Sequence, residues 1–176
     1  QLSFGNNQLT GNIPVELGNL TDLRYLDLGS NRLTGTVPAE IGNLTNLEIL
    51  SFNTNQLSGS IPPDLGTLSS LAELVLWGNQ LSGSIPPELG NLANLGELDL
   101  GLNELTGSIP PELGDLSNLV YLSLSDNQLT GSIPAEIGRL TGAENEGPEG
   151  GQVSVQDAPR LAAGQVVTLR DITEEK

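Results

Sequence analysis

The sequence predicts an α/β solenoid, an elongated molecule in which short identical units stack side by side. The prediction depends on three residue types that each recur at a constant spacing of 24 positions. These are the series Asn7, Asn31, Asn55, Asn79, Asn103 and Asn127, with glycine four residues later and proline seven residues later in every copy. The unit at residues 20–43 reads LTDLRYLDLGSNRLTGTVPAEIGN. Such a register does not arise by chance, so it fixes the fold class.

Each unit is expected to contain one short strand. In the stretch LRYLDL, Leu23, Leu26 and Leu28 point inward and the residues between them point outward. Strands of successive units then lie side by side as a parallel sheet, about 4.8 Å apart. The repeated asparagine is expected to bond backbone groups where the chain leaves the sheet, which would form a buried ladder.

The second half of the unit returns over the opposite face. Leu33, Val37, Ile41 and Leu44 complete the apolar layer, and burial of each favours folding by roughly 1.5–3 kcal/mol. Pro38 fixes φ in an extended stretch. The following PAEIGNL resembles a short helical turn that ends at glycine. The convex face should therefore carry short helical or irregular turns.

The consensus LxxLxxLxLxxNxL[ST]GxIPxxLGxL resembles the plant-type class of leucine-rich repeats, found in receptor-like kinase ectodomains and polygalacturonase-inhibiting proteins. The match covers residues 1–141, with a partial first repeat and five full repeats, and its most specific element is the GxIP that recurs from residues 11–14 to residues 131–134. The resemblance implies a right-handed arc with the main sheet on its concave face and a second short β segment near L[ST]G. It also implies recognition of proteins, peptides or glycans. The cysteine caps common in secreted members are missing, because the chain has no cysteine.

The repeats stop after Leu140. Residues 142–152 have the Gly, Glu and Pro content of a flexible linker, and residues 153–176 are expected to form a short C-terminal cap or tail. Within that segment VSV at 153–155 and VVTL at 166–169 resemble short strands. Alternatively, VVTLRDITEEK resembles the last strand and exit motif of PAS sensor domains. The chain opens inside a repeat, so we expect a longer parent protein that is extracellular or on the cell surface.

Composition argues against an enzyme. Without Cys or His, thiol catalysis, a Ser-His-Asp triad and His-based metal sites are excluded, and the glycines follow the repeat period instead of forming a phosphate loop. Paired carboxylates would need a closed pocket, which an open solenoid face lacks. We therefore expect no catalysis and no cofactor. The net charge of −16 disfavours nucleic acid and anionic membranes and is compatible with basic proteins or peptides.

The candidate site is the outward face of the predicted sheet, where residues vary between units. Ile49, Val75, Trp77 and Leu102 form a diagonal apolar stripe among acidic residues, and an outward tryptophan is typical of a binding hot spot. The predicted ligand-binding residues are Tyr25, Asp27, Ile49, Glu73, Val75, Trp77, Glu97, Asp99, Leu102 and Tyr121. Glu73 and Glu97 fall in one column about 5 Å apart, which favours a basic ligand residue or, alternatively, calcium held with Asp99.

Two further functions are compatible with the repeats. One is a structural spacer or adhesive solenoid without a single high-affinity ligand. The other is ice or lattice binding by two straight hydroxyl columns, one of Thr34, Ser58 and their equivalents and one starting two residues later. Asn19 and Asn43 begin N-glycosylation sequons, which matter if the parent is secreted by a eukaryote. The oligomeric state is not predicted.

Overall fold

The computed structural model describes residues 1–140 and one further strand, Gln152–Ser154. The strands in chain order are β1 (Leu2–Ser3), β2 (Thr10–Asn12), β3 (Tyr25–Asp27), β4 (Arg32–Gly35), β5 (Ile49–Ser51), β6 (Gln56–Gly59), β7 (Glu73–Val75), β8 (Gln80–Gly83), β9 (Glu97–Asp99), β10 (Glu104–Gly107), β11 (Tyr121–Ser123), β12 (Gln128–Leu129) and β13 (Gln152–Ser154). The helical turns are Val15–Asn19, Ala39–Asn43, Pro63–Thr67, Pro87–Asn91, Pro111–Asp115 and Ala135–Arg139.

Alternate strands belong to two different parallel sheets, so each unit contributes one strand to each sheet. The concave sheet has the order β1-β3-β5-β7-β9-β11-β13, and the second sheet contains β2, β4, β6, β8, β10 and β12. From β1 to β11 of the concave sheet, residues 24 apart lie opposite each other, as Tyr25 and Ile49 do. The predicted solenoid and its second β segment are therefore confirmed.

The convex turns are 3₁₀ helices. Each begins after a proline in extended conformation, such as Pro62 at φ −65°, and the N–H of Leu65 donates to the Pro62 carbonyl at 3.1 Å. The helical turn was expected to end at its glycine, and this is wrong: Gly66 lies inside the turn Pro63–Thr67 and does not have positive φ. A Cβ there would lie 2.4 Å from the carbonyl oxygen of Glu88, so the glycine lets adjacent turns approach closely.

The core is one continuous apolar layer that runs the length of the solenoid. The six apolar positions predicted in the unit at residues 20–43, from Leu23 to Ile41, are buried, and so is Leu44 directly after it. Phe52 is fully buried in the place that leucine takes in the neighbouring units. A leucine core of this kind is filled unit by unit, which is why the fold needs so few aromatic residues.

The asparagine ladder is confirmed and links each unit to the one before it. The side-chain nitrogen of Asn79 donates to the carbonyls of Phe52 and Leu76, both at 3.0 Å, and its oxygen accepts the N–H of Leu57 at 3.1 Å. Asn31, Asn55, Asn103 and Asn127 make equivalent bonds. Each asparagine therefore connects its own unit to both the concave strand and the second-sheet strand of the preceding unit.

Part of the predicted C-terminal organisation falls outside the described residues, namely the linker up to residue 151 and the strand at 166–169. The strand predicted at 153–155 overlaps β13, which pairs in parallel with β11 and places Gln152 opposite Tyr121 and Ser154 opposite Ser123. β13 thus extends the concave sheet by one strand. Among the residues that the structure describes, none belongs to a helix long and apolar enough to cross a membrane.

Candidate functional site

The outward side chains of the concave sheet form three columns, which are named here in the order in which the strands run. The first column is Tyr25, Ile49, Glu73, Glu97 and Tyr121; the second is Asp27, Ser51, Val75, Asp99 and Ser123; the third is Gly29, Asn53, Trp77, Gly101 and Ser125. Nine of the ten predicted ligand-binding residues lie in these columns. Leu102 is the next residue after the third column, opposite Gly78.

The apolar stripe is less exposed than the sequence predicts. Val75 is only 7% exposed, although it lies on the same outward face as Trp77 two residues on. Ile49 and Trp77 are half-buried, and the indole nitrogen of Trp77 is shielded from solvent. Leu102 is 52% exposed. The prediction that Val75 belongs to an exposed stripe is therefore wrong, and Leu102 is the stripe's most accessible member.

Val120 is an exposed apolar residue that the sequence analysis did not include in the site. It is 59% exposed and lies directly before β11, where its N–H donates to the Gly96 carbonyl at 2.8 Å. Equivalent positions in other units hold Arg24, Glu48 and Ala72. A valine at a position that otherwise holds charged or small residues was the signal that could have identified it.

Carboxylates concentrate on β7 and β9. Glu73 lies opposite Glu97, and Asp99 follows in the next column, opposite Val75. The one arginine on this face within residues 1–140, Arg24, is ion-paired to Glu48, with its Nε 3.0 Å from the carboxylate. The arginine of the described part of this face is therefore paired with Glu48, away from Glu73, Glu97 and Asp99, and the region around β7 and β9 is acidic.

Two of the acidic residues also have a local structural role. The Oδ1 atom of Asp27 accepts the N–H of Gly29 at 2.8 Å, and Oδ1 of Asp99 accepts the N–H of Gly101 at 3.1 Å. These bonds fix each carboxylate beside the third column. Within the described part of the chain, no group of three or more Asp and Glu is arranged to hold a metal ion.

The remaining predicted residues lie at the edges of the first column or on the convex side, and Tyr121 lies opposite Glu97. Tyr25 and Tyr121 are half-buried and stand at opposite ends of the first column. Asn19 and Asn43 are exposed and end the convex turns Val15–Asn19 and Ala39–Asn43. The two sequons are thus accessible, on the face opposite the concave sheet.

The second sheet has a different register from the concave one. Its strands pair residues 22 apart, so Thr34 lies opposite Gln56 and Ser58 lies opposite Gln80. The two straight hydroxyl columns predicted from the sequence are therefore wrong. Because the pairing shifts by two residues at every unit, hydroxyl and longer polar side chains lie opposite each other, and the face is a staggered polar array.

Comparison with protein families identifies the class. A model described as a leucine-rich repeat region matches residues 2–118, and a second, described as Leucine Rich Repeat, matches residues 118–140. The chain belongs to the leucine-rich-repeat family, and its repeats are of the plant type. Comparison with curated proteins gave no match.

Solved structures similar to the chain include plant receptor ectodomains. It is 46% identical to the ectodomain of the Arabidopsis thaliana receptor kinase GASSHO1/SCHENGEN3, over 77% of this chain and 16% of that chain, with a TM-score of 0.77. It is 39% identical to the Arabidopsis receptor kinase HAESA, solved with the peptide hormone IDA and the co-receptor SERK1, over 80% of this chain and 24% of that chain, with a TM-score of 0.77. A plant ice-binding protein is 38% identical, over 80% of this chain and 46% of that chain, with a TM-score of 0.76. The chain therefore spans less than half the length of each.

Proposed function

We propose that the chain is a recognition module that binds a protein or peptide on its concave face, with basic segments as the preferred ligands. The observation that carries the proposal is the combination of exposed and half-buried apolar side chains with the carboxylates Glu73, Glu97 and Asp99 on two adjacent strands. The buried apolar layer and the asparagine ladder recur from unit to unit, whereas these side chains differ between units.

Similarity to receptor ectodomains supports this function. HAESA was solved with a peptide hormone and a co-receptor, and that ectodomain shares the solenoid frame with this chain. We also propose an extracellular or cell-surface location, with Asn19 and Asn43 as glycan acceptors if the parent is secreted by a eukaryote. Glycans there would project from the convex side and leave the concave face open.

Selection of random peptides displayed on phage against the immobilised chain tests the proposal. We expect the recovered peptides to be enriched in Lys and Arg and to lose binding to a Trp77→Ala, Glu73→Lys double variant. Gln80→Lys is the matched control, because it makes a basic change at an exposed position of the second sheet. Circular dichroism of each variant checks that the fold is retained.

Peptides that bind the double variant as well as the wild type would move the site off the concave face. If selection recovers no binding peptide at all, the peptide-recognition proposal fails, and the spacer or adhesive function becomes the better interpretation. Loss of binding in Gln80→Lys alone would instead place recognition on the second sheet.

The staggered polar array supports ice binding as a second candidate function. This face presents hydroxyl and amide groups from six strands, and its described exposed residues include few charges, Arg32 and Glu104 among them. The observation that favours it is the similarity to the plant ice-binding protein. An array without straight columns would meet an ice surface through rows that run obliquely across the strands.

Ice recrystallisation in frozen sucrose solution measures this activity. We expect inhibition by the wild type that is lost when Ser60→Tyr and Ser84→Tyr are combined, because the exposed rings would lift the array off a flat crystal face. Glu73→Lys, on the other sheet, serves as the control and should retain inhibition. Ice crystals that coarsen normally with the wild-type protein would eliminate this candidate.

A further inference from the structure

We infer that the concave face contains a subsite for one aliphatic side chain of the ligand, located over Gly96 and against Val120. The inference rests on the proposed use of the concave face and adds a preference for leucine, isoleucine or valine in the bound segment. The subsite lies in a further column, called the leading column because its residues come directly before those of the first column. The leading column consists of Arg24, Glu48, Ala72, Gly96 and Val120.

The leading column changes from charged to uncharged along the solenoid. Arg24 and Glu48 are ion-paired with each other, and the Nε atom of Arg24 lies 3.0 Å from the carboxylate. The next three members are Ala72, Gly96 and Val120, whose side chains carry neither charge nor hydrogen-bonding groups. A polar ligand group would lose water against these three residues without gaining a side-chain partner, whereas an aliphatic group would gain apolar contact.

Val120 forms the apolar wall of the subsite. It is 59% exposed, the largest exposed fraction among the large apolar side chains of the described residues. Its N–H donates to the Gly96 carbonyl at 2.8 Å, and the N–H of Tyr121 donates to the same oxygen at 3.0 Å. These two bonds hold Val120 directly beside Gly96, so a branched side chain stands next to a position that has none.

Gly96 forms the floor of the subsite, at a place where the fold does not require glycine. Its φ is not positive, and an added Cβ would make only ordinary contacts, at 3.7 Å from the Ala72 carbonyl oxygen and 3.8 Å from that of Asn118. Every other glycine of residues 1–140 except Gly138 has positive φ or an atom within 3.4 Å of such a Cβ. A glycine without such a constraint costs backbone entropy and often marks a place where a ligand approaches closely.

Ala72 completes a shallow depression on the other side of Gly96. The N–H groups of Gly96 and Glu97 donate to the Ala72 carbonyl at 2.8 and 3.1 Å, so the backbone bonds of the floor are formed within the sheet. Ala72 and Val120 are two strand spacings apart, about 9.6 Å. This distance leaves room between them for one branched aliphatic side chain, which would contact a methyl group on one side and a valine on the other.

The position of the depression also predicts what flanks the aliphatic residue of the ligand. Glu73 follows Ala72 directly and belongs to the first column, where it lies opposite Glu97. A ligand segment with its aliphatic side chain over Gly96 therefore has its adjacent side chains near an acidic part of the face. The expected motif is an aliphatic residue between two basic ones.

Nuclear magnetic resonance titration with two charge-matched peptides tests the subsite. The peptides are acetyl-lysyl-leucyl-lysine amide and acetyl-lysyl-seryl-lysine amide, which differ only in the central side chain. We expect the leucine peptide to shift the backbone resonances of Gly96, Glu97 and Val120 in a saturable way. It should bind about tenfold more tightly than the serine peptide, because a leucine side chain that is partly buried on binding contributes about that factor.

Two substitutions alter the depression at positions where the fold tolerates a change. Val120→Ser removes the exposed wall, and Gly96→Val fills the floor where an added Cβ makes only ordinary contacts. Each should weaken the leucine peptide about tenfold, to the affinity of the serine peptide, and leave the serine peptide unchanged. The matched controls are Val15→Ser and Ala39→Val, at exposed positions of the convex turns, and both should bind like the wild type. Thermal denaturation checks that every variant is folded.

The outcomes distinguish this subsite from the proposed function as a whole. A preference for the leucine peptide that both substitutions abolish would support the subsite. If both peptides bind the concave face equally well, or if the two variants bind the leucine peptide as tightly as the wild type, the subsite is overturned and the recognition function stands. If neither peptide binds this face and phage selection also recovers none, both proposals fail.

Discussion

At the scale of single residues, the ladder asparagine replaces several backbone partners at once. Asn79 is 9% exposed and satisfies two carbonyls and one N–H where the chain turns out of the concave sheet. These backbone groups belong to three different segments, residues 52, 57 and 76. One side chain therefore holds two adjacent units and two sheets together.

Asn79→Ala should lower the free energy of unfolding by about 3 kcal/mol, since it leaves buried backbone groups without hydrogen-bond partners at roughly 1–3 kcal/mol each. Equilibrium unfolding in urea measures the change. Asn7→Ala is the matched control, because Asn7 makes two of the same contacts at an exposed position and should lose much less. Equal losses at the two positions would contradict a role based on burial.

Substitution of Leu102 is expected to increase stability, unlike substitution of Asn79. Leu102→Asn should raise the free energy of unfolding by about 1 kcal/mol, because asparagine tolerates positive φ better than leucine does. Ser30→Asn, at an equivalent position three units away, also has positive φ and is expected to change the free energy of unfolding less, because serine is not a bulky residue. Equilibrium unfolding in urea compares the two variants. A destabilised Leu102→Asn would mean that the leucine side chain contributes to the fold.

At the scale of elements, the spacing between convex turns depends on a glycine that has no room for a side chain. Gly18, Gly42, Gly66, Gly90 and Gly114 all face the next turn, and a Cβ on any of them would lie 2.3–2.5 Å from a backbone oxygen there. At Gly138, the last glycine of the series, no atom of the described residues lies within 4 Å of such a Cβ. The constraint therefore comes from the neighbouring unit and not from the turn itself.

Gly66→Ala should reduce the free energy of unfolding by about 1–3 kcal/mol, because the methyl group would force two turns apart. Gly138→Ala introduces the same atom at the same place in a unit and should be neutral or slightly stabilising. Thermal denaturation of both variants compares them directly. Similar effects at the two positions would indicate that backbone conformation, and not the adjacent turn, requires glycine.

The elements also show where sequence reasoning succeeds and where it stops. Spacing alone predicted the concave strands, the buried leucines and the asparagine ladder, because each depends only on the chemistry within a unit and its exact repetition, whereas the second β segment followed from the family resemblance. The register of the second sheet could not be predicted, since it depends on the path of the chain between sheets. The burial of Val75 and the backbone strain at Leu102 were missed for a related reason: both depend on neighbours and conformation that a pattern of letters does not contain.

At the scale of the whole molecule, negative charge recurs along both faces. Every convex turn carries an acidic residue in its first turn, and these residues are Glu16, Glu40, Asp64, Glu88, Glu112 and Glu136. Within residues 1–140, positive side chains are limited to Arg24, Arg32 and Arg139, and two of them are ion-paired. Self-repulsion along the solenoid axis is the consequence.

The melting temperature should therefore rise with ionic strength, as the Debye length falls from about 30 Å at 0.01 M to about 10 Å at 0.1 M salt. Differential scanning calorimetry across this range measures the slope. A variant with Glu40→Gln, Glu88→Gln and Glu112→Gln together should show a higher melting temperature at low salt and a shallower slope. A slope as steep as that of the wild type would show that the convex carboxylates do not repel appreciably.

The asparagine ladder has a consequence for how such a protein can change during evolution. Asn79 bonds backbone groups of residues 52 and 57 in the preceding unit and of residue 76 in its own unit. Recombination between equivalent positions of two units keeps every such contact, because adjacent units meet in the same way, whereas recombination between unequal positions would place the asparagine out of register with its partners. Whole units can therefore be gained or lost without a change in the frame, and the number of repeats is free to vary during descent.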